Sequence, residues 1–587
     1  MKQFFKMLFA SAFGFILGGI LLLFILIGIG GIIAASAGSE EEVTVESNSV
    51  LHFNMNSIAD RSSKSPFEEF DFMNFKSNKR LGLAEVLNNI EKAATDENIK
   101  GIYMDISGAG YGMANLTEVR NKLIEFKKSG KFIVSYADYF SQSGYFLASV
   151  ADTIYLNPQG AIDFSGLHAE LMFFKGAFEK LEIQPEIIRH GKFKSAVEPF
   201  MLDKMSDANR EQTRSFLGSI WNEMLIGISE QRSISVEELQ NAANTLAIRK
   251  ADDALKLKFV DKLVYKSDVL EMIKGITESK SLKDLKLVTV AKYSNVKAKD
   301  SEYSKEQIAV IYALGEIVDG QGEKGQIGGE SLAETIREAR DNEKVKAIVL
   351  RVNSPGGSAL ASEVIWKEVF EAKKTKPVIV SMGNVAASGG YYIACVADTI
   401  VAEPTTITGS IGVFGLLFNA QKMFNNKLGL TFDTVSTAKY AGMGSATRPL
   451  SDFERNVLQE SVEQVYDVFT SRVAEGRKMK QSDVDSVGQG RVWSGVTAKT
   501  IGLVDVLGGL EDAIEIAASK AKLEKYKITN YPKEKDPFEE LMSGFSGDVK
   551  AKILEQELGE EAKYLKEFQN WKNRKGVQAI MPYQIEL

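Results

Sequence analysis

Residues 86–110, VLNNIEKAATDENIKGIYMDISGAG, and residues 332–356, LAETIREARDNEKVKAIVLRVNSPG, are one pattern written twice. They superpose without a gap at a separation of 246 residues, with Ile90 on Ile336, Glu97 on Glu343 and Lys100 on Lys346. The same separation lays GYFLASVADTIYLNPQG (144–160) on GYYIACVADTIVAEPTT (390–406), ADTI on ADTI. Farther on, ALKLKFVD (254–261) meets AKTIGLVD (498–505) with a drift of two residues. Within each copy, amphipathic helical periods alternate with short continuous apolar runs. In the second copy these are a helix over 331–340, a strand AIVLRV (347–352), a helix over 360–373 and a strand PVIVSM (377–382). Such alternation predicts a mainly parallel α/β core. The repeat is a whole domain in length, far longer than the unit of a solenoid.

Working outward from the repeat, 587 residues exceed what one core holds. The pattern divides the chain into 1–39, a cytoplasmic stub and membrane anchor; 40–80, a linker; 81–295 and 300–530, the two α/β copies; and 531–587, a charged amphipathic tail expected to pack as helices or against a neighbouring subunit. From Met7 to Ser39 there is no charged side chain, more than the roughly 20 residues a transmembrane helix needs. Lys2 and Lys6 precede this segment and Glu40, Glu41 and Glu42 follow it, which places everything after Glu40 outside the cytoplasm. ASA at 35–37 leaves open a cleaved signal peptide, although the apolar run is longer than a secretory core. The net charge of −7, without a dominant basic cluster, argues against a nucleic-acid partner. A single cysteine, Cys395, excludes an intrachain disulfide framework and a cysteine-rich metal site. No phosphate-binding loop or ligand cluster calls for a nucleotide, a metal or another cofactor.

Two strands of the second copy run into NSPGG (353–357) and GNVAASGGYY (383–392). Junctions of this kind lie side by side at the carboxyl edge of a parallel sheet, where ligands bind. Ser388 offers a hydroxyl, and Gly389 with Gly356 and Gly357 offers unobstructed N–H groups for a tetrahedral oxyanion. The plain alternative for Ser388 is a helix N-cap. The first copy carries Gln142 where the second has Ser388, and Gly110 and Tyr111 where it has Gly356 and Gly357. Conversely, aligning 180–199 with 427–446 puts Lys194 opposite Ala441, whereas Lys192 meets Lys439. One copy has the serine without the lysine, the other the lysine without the serine. The three histidines, His52, His168 and His190, are remote from Ser388 in sequence, and a Ser-Lys pair needs none. The reading is a site assembled from both copies, with Ser388 as nucleophile and Lys194 as base, its amine made neutral by burial beside Phe193, Ala196 and Val197. Lys192 is the rival base and a solvated loop the alternative for Lys194. Ser410, in TITGSIGV (406–413), is placed to hold the amine, or is an ordinary loop hydroxyl. Arg491 and Trp493, in GRVWSG (490–495), read as a strand edge.

VNSPGGS, GNVAASGGYYIA, TGSIGV, KFKSAVEPF and GRVWSG together closely resemble peptidase family S49, the signal peptide peptidases of type A, in their double-length membrane-anchored form. The resemblance runs from about residue 50 to 530. It implies two tandem Clp-protease or crotonase-like α/β domains behind one transmembrane helix, and a Ser-Lys dyad of Ser388 and Lys194. It also implies Gly389 and Gly357 or Gly356 as oxyanion donors, with Ser410 supporting the lysine. Apolar signal peptides would be the substrates, a homotetramer the assembly, and the extracytoplasmic side of the bacterial inner membrane the place. A thioester-directed acyl hydrolase and an inactive membrane scaffold are the alternatives from other classes.

Overall fold

The computed structural model describes residues 81–296, 304–533 and 577–581 continuously, residues 44–62 except 56, and short pieces at 6, 13–15, 17–21, 70–71 and 76–77. The duplication is visible in its topology. The first copy forms a parallel sheet in the order Lys262–Leu263, Thr153–Ile162, Phe132–Phe140, Ile99–Asp105, Ser49–Phe53, Leu287–Thr289. The second repeats that order with Val506–Leu507, Thr399–Ala402, Val378–Ala387, Val345–Ser354, Gln307–Leu314 and Lys527–Tyr531. It also carries Ile407–Gly409 and Val492–Ser494 beyond the end of Val378–Ala387.

The packing obeys the same repeat. Helix Leu83–Thr95 buries Val86, Leu87, Ile90 and Ala93, and helix Gly329–Asp341 buries Leu332, Ala333, Ile336 and Ala339. These are the same positions of the pattern, spaced three and four residues apart to form one apolar stripe. Strand Val345–Ser354 is buried at nearly every position, as expected of a parallel sheet covered on both faces. Polar ties are duplicated too. Tyr145 Oη donates to the carbonyl of Phe259 and Tyr391 Oη to that of Leu503, both at 2.9 Å.

A third sheet joins the copies, in the order Gln326–Gly328, Glu316–Val318, Gly356–Ser358, Gln578–Ile580, Val413–Asn419, Gln184–His190. Its outer pair is antiparallel, from His190 opposite Val413 to Gln184 opposite Asn419. This pairing carries the first copy's chain to the carboxyl edge of the second copy's sheet.

Two expectations change. Ser49–Phe53, within the stretch read as linker, is an inner strand of the first sheet, paired with Ile99–Asp105 and Leu287–Thr289. Its five residues are too few to show periodicity beside polar neighbours. In the tail, Tyr531 ends a strand, and Gln578–Ile580 is a strand rather than a helix; residues 534–576 and 582–587 lie outside the described residues. The anchor expected at 7–39 also falls largely outside them, and among the described residues no helix is long and apolar enough to cross a membrane.

Candidate active site

Strand Val378–Ala387 ends at Ser388, and helix Gly389–Ala394 begins directly after it. The turn between them is so abrupt that Ser388 adopts φ +56° and ψ −116°, a conformation that costs a non-glycine residue roughly 1–3 kcal/mol. It is held by Ser388 N–H donating to the Gly409 carbonyl (2.8 Å) and by Tyr392 N–H donating to the Ser388 carbonyl (2.9 Å). The hydroxyl makes no capping bond to its own helix, which removes the N-cap alternative. It points instead at the lysine.

Lys194 follows strand Gln184–His190 through Gly191, whose φ of +101° turns the chain inward. The loop is bound to the second copy by Phe193 N–H donating to the Gln489 carbonyl (2.9 Å), and that segment is bound in turn by Gly490 N–H to Ile411 (2.7 Å). Ser195 N–H donates to the Phe193 carbonyl (2.8 Å), so Lys194 sits at the centre of a tight three-residue turn. Two glycines make room for it: a Cβ on Gly490 would lie 2.7 Å from Lys194 Cα, and one on Gly412 would lie 3.2 Å from its Cδ.

Lys194 Nζ lies 2.8 Å from Ser388 Oγ, 3.1 Å from Ser410 Oγ and 3.3 Å from the Ser410 carbonyl. Lys194, Ser388 and Ser410 are all 0% exposed. Burial alone drives the lysine well below its ordinary pKa, with no carboxylate raising it again. A neutral amine has two N–H groups and one lone pair. With the N–H groups given to the two Ser410 oxygens, the lone pair faces the Ser388 hydroxyl. Ser410 is itself held at φ +50°, its N–H donating to Arg491 (2.7 Å).

Gly356 and Gly357 form one wall, in strand Gly356–Ser358, with φ of +100° and +157°. Gly356 N–H donates to Ser354 Oγ (3.1 Å) and so is engaged elsewhere. Its contribution is the missing side chain, since a Cβ there would lie 2.6 Å from Gly389 N and 3.0 Å from Ser388 Cβ. Gly357 pairs with Ala579 of strand Gln578–Ile580, and Gly389 opens the helix directly after Ser388.

The sequence-derived candidates Ser388, Lys194, Ser410, Gly389, Gly357 and Gly356 thus come together, and the rivals do not. Lys192 is exposed, with its ammonium over the Phe193 ring. His190 stacks on Tyr466 and pairs with Glu463. In the first copy the equivalent space is closed: Gln142 Oε1 accepts the N–H groups of Ser165 (2.8 Å) and Gly166 (2.6 Å), and Tyr111 is buried with its hydroxyl on the Met55 carbonyl. Cys395 is buried, and its thiol is pushed up to about 12, consistent with a packing role. Sequence reasoning missed Gly412 and Gly490 as the floor of the lysine channel. Their signal was present in TITGSIGV and GRVWSG, which read only as a loop and a strand edge. Among the described residues no group of three or more His, Cys, Asp or Glu side chains is placed to hold a metal ion.

The model of Peptidase family S49 matches twice, at residues 125–279 and 371–524, together more than half of the chain. Protease 4 of Salmonella typhi is 38% identical over 81% of this chain and 77% of its own length. The chloroplastic serine protease SPPA of Arabidopsis thaliana is 35% identical over 82% and 72%, and Protease 4 of Haemophilus influenzae 37% over 75% and 73%. Among solved structures, a ClpP1 mutant from Listeria monocytogenes aligns with 35% of this chain at 14% identity and a TM-score of 0.24, a likeness too weak to bear on the fold.

Proposed function

The chain belongs to peptidase family S49 and is a serine peptidase, and from that premise we propose that it is a membrane-anchored endopeptidase that cuts apolar signal peptides with a Ser388–Lys194 dyad. The single observation that carries the mechanism is the 2.8 Å approach of a buried amine, with hydroxyl and carbonyl partners but no carboxylate, to the hydroxyl of a strained serine. Ser388 Oγ attacks the peptide carbonyl carbon while its proton passes to Lys194 Nζ. The oxyanion is met by the N–H groups of Gly357 and Gly389. Lys194 then returns the proton to the departing amine, and water, deprotonated by the same lysine, hydrolyses the acyl-enzyme.

The apolar stretch 7–39 supports an anchor that holds the catalytic copies outside the cytoplasm, where cleaved signal peptides remain in the bilayer. Resistance to alkaline extraction from membranes checks the anchor, and mass measurement in detergent checks the homotetramer that the family resemblance implies. The function itself is tested by turnover of a fluorogenic peptide with an apolar residue before the cut. Wild type and Lys192→Ala should turn over, and Ser388→Ala and Lys194→Ala should not. An active Lys194→Ala variant would require another base.

A further inference from the structure

The lysine turn is clamped from behind by one side-chain amide. Gln212, on helix Asp207–Arg232 of the first copy, is fully buried. Its Nε2 donates to Ser195 Oγ (2.8 Å) and to the Phe193 carbonyl (3.1 Å), on the residues directly after and before Lys194. Its Oε1 accepts the N–H of Val492 (3.2 Å), which belongs to the second copy. An amide has two N–H groups and one carbonyl, and here all of them serve groups beside the dyad.

Val492 lies where the serine side of the site is held. It pairs with Gly409 across the antiparallel strands Val492–Ser494 and Ile407–Gly409. The Gly409 carbonyl accepts the Ser388 N–H (2.8 Å), and the carbonyl of Arg491, next to Val492, accepts the Ser410 N–H (2.7 Å). One side chain therefore fixes the turn that carries the base to the strand that supports both serines. Gln212 is itself held in place. Asn209 Oδ1 lies 3.3 Å from Gln212 Nε2, and Asn209 Nδ2 donates to Glu198 Oε2 (3.0 Å). Glu198 also accepts from the N–H and the hydroxyl of Ser206 (3.1 and 2.6 Å). Ser195, Glu198, Asn209 and Gln212 are each at most 1% exposed, so a bond lost here leaves a buried polar group unpaired. The other charged groups at the turn are engaged as well, Arg189 Nη1 with the Lys194 carbonyl (3.5 Å) and Arg491 with Glu211 (3.0 Å).

We propose that Gln212 is a positioning residue for the reaction, setting the Lys194 amine against the Ser388 hydroxyl and keeping water from the space behind it. The inference rests on the Ser388–Lys194 reading of the site. Gln212 touches neither reacting atom. Without the amide, the Phe193 carbonyl, the Ser195 hydroxyl and the Val492 N–H each lose a buried partner, and water enters the seam to pair them. A hydrated amine takes up a proton more readily than a dry one. Less of the lysine is then neutral at a given pH, and the turn no longer fixes its distance from the hydroxyl.

The test compares wild type, Gln212→Met, Ser195→Ala and the double variant in detergent, by turnover of the fluorogenic peptide and by labelling of Ser388 with a serine-directed acylating probe across pH. Gln212→Met keeps the length of the side chain without its donors or its acceptor. Its kcat should fall by about 10- to 100-fold with KM unchanged, and its acid limb should move to higher pH. Ser195→Ala removes one acceptor and should shift both in the same direction by less; should Gln212→Met not fold, its acid limb decides alone. Adding Ser195→Ala to Gln212→Met should bring little further loss, because both remove the same bond. A wild-type acid limb in the folded single variants overturns the inference even where the rate has fallen, since a loss of folded enzyme scales the rate equally at every pH. Absence of label on Ser388 in wild type, or a wild-type labelling rate in Lys194→Ala, removes the dyad reading and this inference with it.

Discussion

At the scale of the residue, catalysis depends on a lysine whose burial favours the uncharged amine. A depressed pKa has consequences for both rate and stability, and their signs differ in origin. Activity requires the neutral amine, so kcat/KM should rise with pH through an acid limb whose midpoint lies well below the ordinary lysine value of about 10.4. Stability follows proton binding. Between the depressed folded pKa and about 10.4 the unfolded chain binds the proton and the native chain does not, so stability rises with pH across that window. Replacing the amine by an apolar group of similar shape removes this penalty. Lys194→Met should therefore be inactive yet more stable at pH 7. That advantage should shrink toward pH 10.4, as read by denaturant midpoints across pH. Ser410→Ala removes one of the two oxygens holding the amine and leaves the carbonyl, for which about a tenfold loss in kcat is expected, equivalent to about 1.4 kcal/mol. Gly356→Ala places a methyl group 2.6 Å from Gly389 N, and turnover should fall by about 10² to 10³ as an oxyanion donor is displaced.

At the scale of the element, the two 26-residue helices Asp207–Arg232 and Asp452–Arg477 show how the repeat persists where sequence identity has faded. Each begins on a capping serine, Ser206 or Ser451, and ends on a left-handed residue, Ser233 or Lys478. Ser451 shares a capping box with Glu454, which also binds Arg448. Ser451→Ala should lower the unfolding midpoint of the second copy by an amount equivalent to about 1 kcal/mol while sparing activity. These two helices were not legible in the sequence; the helices over 331–340 and 360–373, the strands over 347–352 and 377–382 and the ADTI match were legible because their pattern is local and occurs twice. Lys194 was legible for a related reason: the copies differ there, and a difference within a duplication marks a divided task. The cross-copy strand pairing of Gln184–His190 with Val413–Asn419 was not legible, because residues more than 200 positions apart choose each other by tertiary geometry. VQAIM at 577–581 was equally silent, being a five-residue run whose meaning lies entirely in the groove that receives it.

At the scale of the whole molecule, a site divided between two copies works only if the copies keep their mutual position. Arg351, fully buried on strand Val345–Ser354, donates to Glu118 Oε1 (2.7 Å) and Asn115 Oδ1 (2.8 Å) of the first copy and to Ser381 Oγ (2.8 Å) of its own. Glu118 also accepts the N–H of Leu510 (2.7 Å). Removing Glu118 leaves the buried Arg351 charge with Asp60, at 3.5 Å, as its remaining carboxylate, and breaking such a buried pair costs up to about 3–5 kcal/mol. Glu118→Ala should thus lower both stability and turnover, although Glu118 touches neither Ser388 nor Lys194, and limited proteolysis should then open the seam between the copies. The most direct test of the divided dyad is the labelling rate of Ser388 by a serine-directed acylating probe, mapped by mass spectrometry across pH. Label is expected on Ser388 in wild type and Lys192→Ala, increasing through one acid limb, and that label should be lost in folded Lys194→Ala. Label on a different serine, or a wild-type rate in Lys194→Ala, would contradict the divided dyad.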